Sequence, residues 1–315
     1  MKISLIVTVL NEEKSIDSFL DSVANQSLKP DEVIIVDGGS VDWTLDKLSK
    51  RKENIRVLIK EGASRSEGRN LAVEKSKNEI IAITDAGCVL DKDWLAEIVK
   101  PFSDPEVDVV AGYYRGIAKT VFEKCVIPYA LVMPDKVNPK TFLPASRSMA
   151  IKKDVFWKVG GFPAQFVHNE DYVFANRLKK EGAKIVFCKE AIVNWIPRSN
   201  LKSFWTMIYR FALGDAQSRL RRLKVFGIFL RHLIFISLIL SSLLLLSASL
   251  LLAFALLFLL YLIWSVAKNF RYVKHYKAFF WLPVLQLTSD FAVMWGTING
   301  LMLSQTLHKS KLFAR

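Results

Sequence analysis

Carboxylates at the ends of apolar runs carry most of the chemistry this sequence offers. Asn11 and Glu12 follow ISLIVTV, Asp37 follows EVIIV, Asp85 follows EIIAIT, and Glu170 and Asp171 are neighbours in NEDYVFANRLKKEG. The bland alternatives are capping and dipole complementation: an Asp after a strand often closes a turn, and two acids opening a helix offset its positive end. Neither a G-x-G-x-x-G after the first run nor a Walker A sequence is present, so a Gly-rich loop is not available to cradle phosphates. Acids at strand ends suit instead a nucleotide whose diphosphate is neutralised by a metal held by Asp. Cys88, Cys125 and Cys188 lack the CxxC spacing of a zinc site, and Cys88 reads as a small residue packed beneath a loop.

The elements that would position these groups alternate at a regular beat. ISLIVTV, EVIIVD, IRVLIK, EIIAITD and VDVVAGY predict strands covered on both faces, and helix-length segments lie near 13–25, 42–51, 64–77 and 91–102. Such alternation predicts right-handed crossovers and a mostly parallel sheet, with ligands beyond the carboxyl ends of the strands. Proline-bearing stretches around Pro128 to Pro144 predict loops over the sheet, followed by a strand at 142–151 and a short helix stopped by Gly160 and Gly161. Asn169 is the expected N-cap of a helix that Gly182 ends, and two short strands are expected near 184–188 and 191–196.

Composition divides the chain. Of 315 residues, 51% are hydrophobic and the net charge is +14, which excludes intrinsic disorder. Residues 1–195 hold 29 Lys and Arg against 28 Asp and Glu, whereas 196–315 hold 15 against Asp215 and Asp290 alone. The excess positive charge flanks apolar runs and forms no aromatic-interleaved basic face, so nucleic acid is not the expected partner. Residues 232–267 contain no formal charge. As one helix they would be about 54 Å long against a hydrocarbon core of about 30 Å, so a hairpin turning near Ser247, Ala248 and Ser249 is expected.

A further stretch, 278–308, is uncharged apart from Asp290. The basic cluster Arg219, Arg221, Arg222, Lys224 and Arg231 and the loop bearing Lys268, Arg271, Lys274 and Lys277 predict a cytoplasmic side for both. A third span would put Lys309, Lys311 and Arg315 outside, so a re-entrant or interfacial third segment stays open. Residues 199–224 read as amphipathic and membrane-surface lying. ISLIVTVL is no signal peptide, being preceded by one Lys and followed by NEE, so the first part is expected in the cytoplasm.

VTVLNEE, IIVDGGS, GRNLAVEKSKNEIIAITDAG, and VGGF followed by HNEDYVFANRLKKEG resemble, in that order and spacing, the family-2 glycosyltransferases of GT-A fold. The stretch NEDYVFANRLKKEGAKI, continued by IPRSNLKSF and the apolar tail, is most similar to the membrane-bound succinoglycan-type branch, which acts in exopolysaccharide assembly. The resemblance implies an α/β chain: a GT-A nucleotide-diphospho-sugar transferase fold, its mostly parallel sheet flanked by helices, followed by C-terminal transmembrane helices. The expected parts are a cytosolic catalytic domain at 1–198, an interfacial linker at 199–231, a membrane region at 232–308 (hairpin 232–267, third segment about 278–303) and a basic tail at 309–315.

By the same resemblance, Asp37 sits at the base edge of the nucleotide, with Thr8 and Glu12 in the same pocket. Arg69 neutralises phosphate or pairs with a structural acid. Asp85, Ala86 and Gly87 stand at the D-x-D motif that holds Mg2+ or Mn2+, with glycine in place of the second acid. Asp171 is the implied general base, Glu170 its supporting neighbour and His168 a competitor. The expected reaction is inverting transfer of a sugar from a nucleotide-sugar donor to a hydroxyl of a lipid-linked saccharide, by an integral membrane protein in contact with lipid. Transfer onto a polyprenyl phosphate, which needs no base, and a non-catalytic membrane-tethered nucleotide-sugar binder are the alternatives.

Overall fold

The computed structural model describes residues 1–51, 55–220 and 222–312. The chain divides into two units, Met1–Ile117 with Leu131–Ile196, and Ala118–Ala130 with Pro197–Arg315. The division expected after residue 198 therefore falls two residues earlier, and a segment from the middle of the first part clusters with the C-terminal helices.

In the first unit, β1 (Ile3–Val9), β2 (Glu32–Asp37), β3 (Ile55–Ile59), β4 (Ile80–Thr84), β5 (Cys88–Leu90), β6 (Val109–Gly116), β7 (Ser148–Lys152) and β8 (Ile185–Trp195) form one sheet in the order β3-β2-β1-β4-β7-β6-β8-β5. β1 pairs in parallel with β2 and β4, β2 with β3, and β6 with β8. β7 runs antiparallel between β4 and β6, and β5 antiparallel to β8, so the expected sheet, parallel in most of its pairings, also carries antiparallel strands. The two strands expected at 184–188 and 191–196 are one, β8, with a register shift opposite Gly112 and Tyr113. The polar residues Lys189 and Glu190 mark that irregularity, and the alternation is lost there without the strand ending.

The helices α1 (Ile16–Ala24), α2 (Thr44–Ser49), α3 (Arg65–Lys75), α4 (Trp94–Val99), α6 (Lys153–Lys158) and α7 (Glu170–Lys180) belong to this unit. One core cluster joins Ile6, Ile34, Ile81, Ile83 and Ile151 of the sheet to Val73 of α3, Phe156 of α6, Phe174 and Leu178 of α7, and Phe162. The Phe162 and Phe174 rings stack with centroids 4.4 Å apart, which anchors the start of α7 beneath the sheet ends. Asn169 is not a side-chain cap. It precedes α7 in the left-handed region at φ 66°, and its side chain accepts no helix N–H.

The second unit contains α5 (Val121–Ala130), α8 (Leu201–Gln217), α9 (Leu223–Leu244), α10 (Ala248–Val273) and α11 (Ala278–Leu312). The stretch read as a loop around Pro128 is helical, with the proline inside α5. Three helices are long and apolar enough to cross a membrane, Leu223–Leu244, Ala248–Val273 and Ala278–Ser304, with mean hydropathies of 2.0, 2.6 and 1.2 over their best windows. The first begins before, and the second ends after, the 232–267 expected for the hairpin. Arg221 of the expected basic cluster and residues 313–315 of the expected tail lie outside the described residues.

The apolar face of α8 is spent on protein. Phe204, Ile208, Ala212, Leu213 and Ala216 are buried. A Cβ at Gly296 or Gly300 of α11 would lie 2.5 Å from the Tyr209 carbonyl oxygen or 2.6 Å from that of Leu213. This G-x-x-x-G pair lets two helix backbones touch. Arg231, expected as a flanking charge, instead pairs with Asp290 of α11, which is fully buried. Tyr261 of α10 donates to Asp290 Oδ2 at 2.8 Å and Gln286 Nε2 to its Oδ1 at 2.8 Å, so one carboxylate fastens α9, α10 and α11.

Breaking a buried pair leaves an uncompensated charge and costs about 3–5 kcal/mol. Asp290→Ala is therefore expected to lower the thermal midpoint of the detergent-solubilised protein sharply. An unchanged midpoint would make the network dispensable.

Candidate active site

The site is built around one buried cation. α3 starts behind Ser64, whose N–H donates to Glu67 Oε2 at 2.9 Å while its hydroxyl accepts from the Glu67 N–H at 3.3 Å, a reciprocal cap that fixes the first turn. One turn further on, Arg69 is only 1% exposed. Its Nη1 donates to Glu170 Oε1 at 2.9 Å and its Nη2 to Asp85 Oδ1 at 2.9 Å, tying the start of α7 to the end of β4. Burial alone would lower the Arg69 pKa, but the charges of Asp85, Glu170 and Asp171 outweigh it and raise the pKa above the ordinary Arg value. The guanidinium also lies 5.2 Å over the Phe162 ring, and Arg65 Nε reaches to 3.5 Å from Glu170 Oε1.

The backbone that carries Phe162 is locked by Asn70, which donates through Nδ2 to the Phe162 carbonyl at 2.8 Å and accepts the Phe162 N–H at 2.9 Å. Gly161 sits at φ +64°, and a Cβ there would press to 2.9 Å from Asn70 Oδ1. The Arg-Asn pair thus divides its labour. Arg69 gathers acids and Asn70 holds the turn beneath them.

Of the residues singled out in the sequence, Arg69, Asp85, Glu170 and Asp171 come together. The Asp85 side chain is 33% exposed. Burial would raise its pKa, but the charges of Arg69, Arg147 and Arg65 hold it below the ordinary Asp value. Asp171 moves the other way: burial raises its pKa, with Glu170 and Asp85 adding to the rise against the pull of Arg69. Its Oδ1 accepts its neighbour Tyr172's N–H at 2.9 Å, and Oδ2 has no hydrogen-bond partner among the described residues. His168 lies on the rim, its Nδ1 3.5 Å from Arg65 Nη2.

The remaining residues occupy the neighbouring strand ends. Asp37 is fully buried, and its carboxylate accepts the N–H groups of Gly39 and Ser40, each at 2.8 Å, and the Ser40 hydroxyl at 2.6 Å, so it closes the turn after β2. Thr8 packs against α3, close enough that a Cβ at Gly68 would meet its methyl group at 2.8 Å. The Glu12 carboxylate accepts from the Ser15 hydroxyl and its backbone N–H donates to Thr44 Oγ1 at 2.8 Å, knitting the loop after β1 to α2. Ala86 is buried, whereas a Cβ at Gly87 would meet no atom within 4 Å.

A cation finds limited protein donors here. Among the described residues no three His, Cys, Asp or Glu side chains group as a metal cage. Burial pushes the Cys88 thiol up to about 12, so it offers no thiolate. Asp85 Oδ2, left free by the Arg69 bond to Oδ1, faces no competitor from Gly87. That donor set fits a hard cation held mainly by diphosphate oxygens and water, as Mg2+ tolerates. Arg147 and Tyr114, which carried no signal in the sequence, complete the surroundings: Tyr114 feels the charges of both Arg147 and Asp171.

Residues 4–160 match the profile of Glycosyl transferase family 2. The O-antigen chain rhamnosyltransferase RfbN of Salmonella typhimurium is 28% identical over 229 residues, which cover 65% of this chain and 71% of that protein. Glycosyltransferase AglE of Haloferax volcanii is 27% identical over 201 residues, 60% of this chain and 65% of its own length, so the chain spans just under two thirds of that relative. The mannosyltransferase PcManGT from Pyrobaculum calidifontis, solved with GDP-Man and Mn2+, superposes with a TM-score of 0.63 at 18% identity, covering 93% of this chain and 87% of its own. At that identity the likeness is one of fold, and the fold is that of the GT-A transferases.

The raised pKa of Asp171 has a consequence for stability. Native protein binds this proton more tightly than unfolded chain, so stability falls as pH rises from the ordinary Asp value of 3.8 through the folded value. Asp171→Asn removes the penalty and is expected to unfold at a higher temperature than the parent at neutral pH, the difference closing as pH falls toward 4. A difference independent of pH would contradict the assignment.

Proposed function

Since this chain belongs to glycosyl transferase family 2, we propose that it is an inverting enzyme that moves a sugar from a nucleotide-sugar donor to a hydroxyl of a lipid-linked saccharide, at the cytoplasmic membrane face, in polysaccharide assembly. The observation that carries this reading is Asp171: a carboxylate of raised pKa with one oxygen unengaged, beside Asp85 and the charged Arg69. A base with a pKa moved toward neutrality removes a proton from an alcohol better than an ordinary Asp does. A phosphate acceptor is already ionised and would make no use of it.

In this reading the acceptor oxygen attacks the anomeric carbon as Asp171 Oδ2 takes its proton. The bond to the diphosphate breaks, and the electron pair leaves with the diphosphate. Arg69 keeps Asp85 ionised and Glu170 in place, so it acts by positioning. Asp85 would hold Mg2+ or Mn2+, and a bound cation would neutralise charge on the diphosphate. Thr8, Glu12 and the Asp37 turn would form the nucleotide end, since they share the carboxyl ends of β1 and β2. The acceptor's lipid character is supported by the three apolar helices of the second unit, and polysaccharide assembly by relatives such as the O-antigen rhamnosyltransferase.

Asp171→Asn keeps shape while removing the proton acceptor, and is expected to lower kcat about 10²- to 10⁴-fold with little change in donor affinity. Near-normal turnover in that variant with collapse in His168→Ala would move the role to His168, and turnover surviving both would indicate a phosphate acceptor. Radiolabelled sugar transfer to membrane lipid extract, with UDP-, GDP- and dTDP-sugars in turn, reads these outcomes. Donor binding without turnover by the parent protein would favour a non-catalytic binder.

Asp85→Ala is expected to abolish the divalent dependence of donor binding in calorimetry. Gly87→Asp, with open space around its Cβ, should be tolerated or tighten metal affinity. Donor binding indifferent to both chelator and Asp85→Ala would remove the metal.

For sidedness, a Cys near Lys274 is expected to be shielded from an impermeant reagent in intact cells and one near Ser247 to react. The reverse pattern overturns the cytoplasmic placement.

A further inference from the structure

Arg147 is the cation of the first unit whose surroundings ask for an anion. It lies in the turn before β7, where its carbonyl accepts the Thr84 hydroxyl at 2.9 Å, one residue ahead of Asp85. Its guanidinium stands 5.3 Å over the Tyr114 ring of β6 and 5.5 Å over the Trp195 ring of β8. Tyr114 is itself braced by Tyr113 at 5.7 Å and Phe142 at 5.9 Å. Packed rings of this kind fix the plane of an arginine and remove much of the entropy cost of using it.

The guanidinium has not been neutralised by the protein. Its Nε is sealed from solvent without a hydrogen-bond partner. Among the described residues no carboxylate forms an ion pair with it, whereas Arg69 is spent on Asp85 and Glu170. The side chain as a whole is half-buried, so an anion can reach the remaining N–H donors and would give the guanidinium the partner it lacks. The positive charge of Arg147 is felt by Asp85 and by Cys88 beyond it, which puts it on the side of the site where Gly87 stands in open space in place of an acid. With glycine there, no second carboxylate stands beside Asp85 to compete for the guanidinium.

We infer that Arg147, clamped between Tyr114 and Trp195, binds the donor's diphosphate, supplying through a planar fork of N–H donors part of the positive charge that a second acid and its cation would otherwise provide. The fork matches two phosphate oxygens at once, which a lysine ammonium cannot do. The inference rests on the nucleotide-sugar reading given above and adds to it a residue that the order of motifs does not reveal.

Calorimetry on the full detergent-solubilised chain separates the two. UDP, GDP and dTDP are titrated against their monophosphates, in Mn2+ and in EDTA. A parent protein that binds none of the diphosphates defeats the nucleotide-sugar reading itself. Where the parent binds, Arg147→Met, which keeps the stem over the rings, is expected to weaken the diphosphate about 10- to 100-fold and the monophosphate only a few-fold, in EDTA as well as in Mn2+. Arg147→Lys should fall between the two.

Equal diphosphate affinity in Arg147→Met, or an equal loss for mono- and diphosphates, overturns the inference. Should Arg147→Met lack a cooperative thermal transition, Arg147→Gln and Arg147→Lys decide by the same comparison. Unaltered diphosphate binding with a raised KM for the lipid-linked acceptor would hand Arg147 to the acceptor and overturn its assignment to the donor.

Discussion

A guanidinium sealed inside a protein must be matched by negative charge, and the first unit is organised around meeting that demand at Arg69. The two carboxylates that touch it come from the end of β4 and the start of α7, elements with three strands between them in sequence. Burial raises the pKa of Asp171, and Glu170 and Asp85, both committed to the same cation, add to that rise against the pull of Arg69. The same arrangement that costs the fold a strained cluster of acids provides a carboxylate that accepts a proton readily. Removing any one member alters the electrostatics of the others, so single substitutions here should not be additive.

The strands β1 to β4 were legible because their Val and Ile runs are nearly continuous and bounded by turn residues. The elements that escaped did so for identifiable reasons. Pro128 inside α5 hides a helix, since proline is ordinarily read as a stop. Lys189 and Glu190 break the alternation of β8 without breaking its pairing. The sheet's mixed character was invisible because β7, inserted antiparallel between β4 and β6, announces its direction nowhere in its own residues.

The site divides in the same manner. Asp85, Glu170 and Asp171 could be nominated from their places after a strand and before a helix, but their convergence on Arg69 spans 101 residues and is a property of the fold. Asp37 shows another case: position suggested a ligand contact or a turn cap, and its carboxylate accepts three hydrogen bonds within the turn after β2. Arg147 has unremarkable neighbours in sequence, and only the approach of rings from residues 114 and 195 distinguishes it. In the apolar third, Gly296 and Gly300 read as part of a long hydrophobic stretch until the backbone of α8 is seen against them.

The carboxylate shared by α9, α10 and α11 bears on how the chain is assembled. Arg231 and Tyr261 are synthesised well before Asp290, so while α9 and α10 emerge neither has its carboxylate, and an arginine with only the Tyr261 and Trp264 rings beside it is expensive to hold within an apolar helix. The hairpin therefore has reason to wait at the surface or to remain loosely seated until the last helix arrives. For helices long and apolar enough to cross a bilayer, insertion would then be a joint event of all three, completed when residue 290 closes the circuit, instead of a succession of independent entries.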